Sequence, residues 1–114
     1  MIIRHTLPVK KYTKVDRRVF ENRELTDGAC RLYGYLCGLR NGANFSATYI
    51  MIALGWSDTM YKRRKRELTA SGLVLIDRVG PKSYICYIGY SDYPANKVKQ
   101  HWIDNEDAGK LGDK

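Results

Sequence analysis

At 114 residues the chain has room for one domain of ordinary size and no second core. With 44% hydrophobic and 28% charged residues it is too apolar for a disordered chain, yet no apolar run approaches the roughly 20 residues that span a bilayer, and a soluble protein is expected. Twenty Lys+Arg against twelve Asp+Glu give a net charge of +8, with +9 in residues 1–90 and −1 in residues 91–114, a profile that suits a polyanionic partner but also occurs on plain solvated surfaces.

The opening residues have neither the apolar stretch nor the small-residue cleavage site of a signal peptide, so a cytoplasmic protein is expected. Residues 9–20 mix Lys10, Lys11, Lys14, Arg17 and Arg18 with Val9, Tyr12, Val15, Val19 and Phe20, which predicts an extended arm or short strand within an N-terminal segment 1–24. Thr26 is a candidate helix cap and Asp27 suits the positive helix end. Leu25, Ala29, Leu32, Leu36 and Leu39 then recur at helical spacing with Tyr33 alongside, and Asn41-Gly42 ends the helix. Ser46 caps a second helix over 47–54 with Ile50, Ala53 and Leu54 as its apolar face. Gly55 breaks that helix, Ser57 caps again, and a third runs from Asp58 to about Ser71 before Gly72. Residues 73–76 and 84–88 read as two strands joined by a turn at Gly80-Pro81-Lys82-Ser83. After Pro94, residues 95–105 suit a helix with Val98, Trp102 and Ile103 on one side, and 107–114 read as a loose tail.

On the third predicted helix the 100° rotation per residue puts Met60, Tyr61 and Leu68 inward. Thr59, Lys62, Arg63 and Arg66 fall on the other side within an arc of about 100°. A Lys/Arg-rich solvated face is the plainer reading of Lys62-Arg63-Arg64-Lys65-Arg66. Its context argues against that: a short helix and a glycine turn precede the run, a hairpin follows it, and five adjacent cations repel one another without a polyanion. Such a face is what a helix needs to enter the DNA major groove, where arginine reaches guanine in bidentate fashion.

The block 25–88 resembles the winged helix-turn-helix domains of bacterial, plasmid and phage DNA-binding proteins. The resemblance is carried by Ala53-Leu54-Gly55-Trp56-Ser57, by Arg63-Arg64-Lys65-Arg66-Glu67-Leu68 and by Ser71-Gly72-Leu73-Val74. It implies that Ser57, Thr59, Lys62, Arg63 and Arg66 face DNA, with Arg78, Lys82 and Tyr84 of the hairpin, the wing, as candidates to touch phosphate or minor groove. Lys65 departs from the pattern, standing where leucine is common, so Arg64 or Lys65 has to run its stem along a thinner core.

Other chemistry is poorly represented. Neither a P-loop nor Gly-x-Gly-x-x-Gly nor Gly-x-Ser-x-Gly occurs, and His5 and His101 sit near opposite ends, so no enzyme activity is expected. Cys30, Cys37 and Cys86 have no metal spacing and read as small hydrophobes, so neither a metal nor a cofactor is expected, and no small-molecule ligand is evident. Nine scattered tyrosines, with Tyr33, Tyr49 and Tyr87 on expected core faces, do not form an RNA-stacking motif.

The expected architecture is therefore α+β and mainly helical: a winged helix-turn-helix domain of three helices and a β-hairpin wing over 25–90, an N-terminal arm and a C-terminal extension 91–114. The expected function is sequence-specific binding of double-stranded DNA, as a transcriptional regulator such as a repressor of a bacterial or mobile-element operon. A plasmid or phage replication-initiation or maintenance factor is the alternative within that class, and a winged-helix module docking an acidic protein the one outside it. A homodimer is expected, since one helix reads few base pairs. Its interface is expected at the C-terminal segment around Trp102, unless that side chain completes the monomer core.

Overall fold

The computed structural model describes residues 1–4, 15–39, 42–81 and 83–112, and their side chains except those of residues 4 and 106–112. Five helices and three strands are found among them, in the order β1 (Ile2–Arg4), α1 (Arg17–Glu21), α2 (Asp27–Gly38), α3 (Ala47–Leu54), α4 (Asp58–Ala70), β2 (Val74–Arg78), β3 (Tyr84–Ile88) and α5 (Ala95–Gly112). The fold is α+β and mainly helical.

Local chemistry places the helix boundaries. The side-chain oxygens of Thr26, Ser46 and Ser57 accept the N–H groups of Ala29, Tyr49 and Met60 and so cap α2, α3 and α4. Gly55 closes α3 in the left-handed conformation, φ 69°, which a residue with a Cβ adopts only under strain. Trp56 N–H then returns to the Met51 carbonyl, and three residues separate α3 from α4.

The sheet has the order β1-β3-β2, with β1 parallel and β2 antiparallel to β3. Residues 42 and 43 pair with the free edge of β1, Gly42 N–H to Ile2 O and Ile2 N–H to Ala43 O. Strand alternation then splits the core in two. Ile2, Val74, Ile76, Cys86 and Ile88 face one side, against Ala29, Leu32, Tyr33 and Leu36 of α2, Ile50 and Leu54 of α3, and Tyr61 and Leu68 of α4. Ile3, Leu75, Ile85 and Tyr87 face the other, against Ala95, Val98 and Trp102 of α5. The sheet is thus a middle layer, with α5 packed on its second face.

Gly89 is the joint between the layers. Its N–H donates to Leu73 O, its carbonyl accepts the buried Tyr33 hydroxyl at 2.7 Å, and a Cβ added there would sit 2.5 Å from Ala95 N and Tyr93 O.

Several expectations are corrected. From Arg17 the predicted extended segment is a helix, capped by Asp16, and Val19 is buried in the main core; residues 5–14 of that arm lie outside the described residues. Five residues are too few to show helical periodicity, and Val15 and Val19 mimic a strand. Ala53 and Tyr49 are exposed, Tyr49 by 74%, because α3 carries no charged residue to mark its outer side. Met60 is 36% exposed and lies against Arg64 instead of the core. Residues 107–112, read as a tail, continue α5. Trp102 packs on the sheet of its own chain.

Candidate nucleic-acid interface

Helix α4 is anchored by Tyr61 and Leu68, seven residues apart and both buried. These two positions fix which side of the basic run faces away. Thr59, Lys62, Arg63 and Arg66 are all exposed and share that side. Ser57 stands at its N-terminal end with its oxygen engaged as the helix cap. Lys62 pairs with Asp58 at 3.0 Å, an exposed contact one turn apart that contributes little and yields readily to a stronger anion. Arg66 stands between two shallow depressions, one shared with Lys62, Lys65 and Thr69 and the other with Arg63, Arg64, Glu67 and Ala70.

Of the two remaining bases of the run, Arg64 is spent on the fold and Lys65 lies against Tyr61. The Arg64 side chain reaches back to the start of α2, where Nη1 donates to Thr26 Oγ1 at 2.9 Å and to Glu67 at 2.6 Å. Gly28 makes room for it, since a Cβ there would lie 2.8 Å from Arg64 Nε. Glu67 in turn accepts the Thr26 N–H and hydroxyl, so a carboxylate of α4 completes the cap of α2. Burial alone would raise the Glu67 carboxyl, but the Arg64 guanidinium and the two Thr26 donors outweigh it and hold it below the ordinary value. Lys65 lays its stem along Tyr61, its ammonium 5.7 Å from the ring centre.

Arg78 is exposed, but its guanidinium donates to the carbonyls of Gly80 and Pro81 and braces the turn. Lys82 lies outside the described residues. Tyr84, the third expected wing residue, opens β3 and lines a cleft beside α4. One side chain near the face escaped sequence reasoning: Arg31 projects from α2 over Trp56, 6.0 Å from the ring centre. The outward position of Arg31 could have been read from the α2 periodicity.

Among the described residues no group of His, Cys, Asp and Glu is placed to hold a metal ion, and no helix is long and apolar enough to cross a membrane. Cys30, Cys37 and Cys86 form no disulfide, and burial pushes Cys86 up to about 12. Comparison with protein-family models, with curated proteins and with solved structures finds no significant match.

Proposed function

We propose that this chain is a winged helix-turn-helix protein that binds duplex DNA through α4 and regulates transcription of a bacterial or mobile-element operon. The observation that carries this reading is the outer face of α4, where Thr59, Lys62, Arg63 and Arg66 stand exposed together while Arg64 and Lys65 are held elsewhere. A helix of this width fits the major groove, its N-terminal half against base edges. The capped turn before it and the β2–β3 hairpin after it support the same reading, as recognition-helix scaffold and wing. Two copies per site belong to the proposal, with their helices about 34 Å apart in successive grooves.

The test is a mobility-shift titration in salt, against the DNA upstream of the protein's own coding sequence and against random duplex. If about four to six bases meet phosphates, log K falls with log salt at a slope of about −3.6 to −5.4. Retention of the upstream duplex over the random one is the expected mark of a regulator. A slope near zero would replace DNA by an acidic protein partner.

A further inference from the structure

Beside α4 lies a cleft of about 380 Å³, closed by the start of α3 on one side and by the hairpin on the other. Its lining is mixed: Phe45, Tyr61, Ile76 and Tyr84 give it an apolar, largely aromatic part, Ser46 and Thr48 add hydroxyls, and Lys62 and Lys65 bring positive charge. The Asp58 carboxylate also lines the rim, but Lys62 offsets it at 3.0 Å. Lys65 forms no ion pair with any described residue, and its ammonium hangs 5.7 Å from the Tyr61 ring.

These features select a ligand class. An uncharged ring would fill the walls and leave the Lys65 ammonium without a counter-ion. A phosphate strand of DNA would meet the lysines and leave Tyr84, Ile76 and Phe45 in contact with water. A planar ring bearing one anionic group answers both: the ring lies along Tyr84 and Tyr61, and the anion meets Lys65 beside the positive first turn of α3 at Ala47 and Thr48. The volume is in the usual range of small-molecule sites, about 300–1,000 Å³. We propose that this cleft is a binding site for a small aromatic anion, a ring system carrying a carboxylate or a phosphate. Because Lys62 belongs to both the cleft rim and the outer face of α4, an occupant draws it away from DNA. That coupling rests on the DNA-binding reading, whereas the site itself does not.

The experiment is calorimetric titration of the full chain, without DNA, using benzoate and adenosine monophosphate as the two anionic probes. Benzamide supplies the ring without charge, and acetate and inorganic phosphate supply the charge without a ring. Saturable binding of at least one anionic probe is expected, with benzamide, acetate and inorganic phosphate each weaker by about tenfold. Lys65→Gln and Tyr84→Ala are each expected to weaken the bound probe by about tenfold. Lys65→Gln removes the charge while keeping a polar side chain of similar length beside Tyr61, and decides the matter if Tyr84→Ala unfolds. The proposal is overturned if neither probe saturates in the millimolar range, if Lys65→Gln binds as well as the parent, or if benzamide binds as tightly as benzoate. Weaker DNA binding by Lys65→Gln with no probe bound would assign the cleft to the DNA backbone instead.

Discussion

Arg64 and Arg66 stand two residues apart on one helix and carry the same charge, yet their surroundings give them different work. Arg66 is exposed beside Arg63, whereas the Arg64 guanidinium is taken up by Thr26 and Glu67. Substitution separates the two roles. Arg63→Ala and Arg66→Ala are expected to weaken binding to the preferred duplex by about 1–3 kcal/mol while the melting temperature stays put, if they read base edges. Arg64→Ala strips the buried side of the α2 cap of a charged donor and is expected to cost about 1–3 kcal/mol of stability with little change in base preference. Fluorescence anisotropy on duplex variants and thermal melts check both, and equal, sequence-blind losses at Arg63 and Arg66 would make the protein a non-specific binder. Asp16 gives a pH-dependent counterpart. Burial works to raise its carboxyl, but the Ser91 N–H and the Arg18 side chain and N–H outweigh that and hold it at about 2, against an ordinary 3.8. The folded value is depressed, so the stabilisation is complete above the unfolded value and is lost as pH falls through the folded one. Asp16→Asn is therefore expected to cost about 2 kcal/mol near neutral pH and almost nothing at about pH 2. Urea melts at the two pH values check this, and a penalty that stays constant with pH refutes it.

Elements whose ends are set by nearby residues were readable from the chain, and those set by distant partners were not. Thr26, Ser46 and Ser57 cap through side-chain bonds three residues long, and Gly55 turns through its own backbone freedom, so α2, α3 and α4 follow from local pattern. The outward arc of Thr59, Lys62, Arg63 and Arg66 follows from helical rotation once Tyr61 and Leu68 are inside. Strand β1 is different. Its three residues pair with Cys86, Tyr87 and Ile88, and nothing within Ile2–Arg4 identifies a partner so far along the chain. Arg64 points inward because Gly28, on another helix, leaves the space, and Arg78 folds back because the carbonyls of the turn at Gly80 and Pro81 face it. Helix α3 has no charged residue, so its sequence holds no contrast from which to tell Ile50 and Leu54, which are buried, from Tyr49 and Ile52, each 74% exposed.

At the scale of the whole molecule, the sheet carries the face of α4 on one side and depends on α5 for cover on the other. Helix α5 brings Ala95, Val98 and Trp102 onto Ile3, Ile85 and Tyr87, and Lys99 reaches Asp77 of β2 at 2.6 Å. The aromatic that first suggested a dimer interface is packed, partly buried, on the sheet of its own chain. Burying one large apolar side chain contributes about 1.5–3 kcal/mol, so losing Val98 and Trp102 together removes about 3–6 kcal/mol. Domains of this size hold only about 5–15 kcal/mol in total. A chain truncated after Tyr93 is therefore expected to lose its cooperative melt and to aggregate through the bared strands, not to survive as a folded monomer. Ile103→Glu, at an exposed position of the same helix, is expected to leave the melt unchanged within about 0.5 kcal/mol. Circular dichroism and light scattering on the two variants distinguish the roles. A truncated chain that melts cooperatively as a monomer, with the full chain dimeric, would return α5 to the interface.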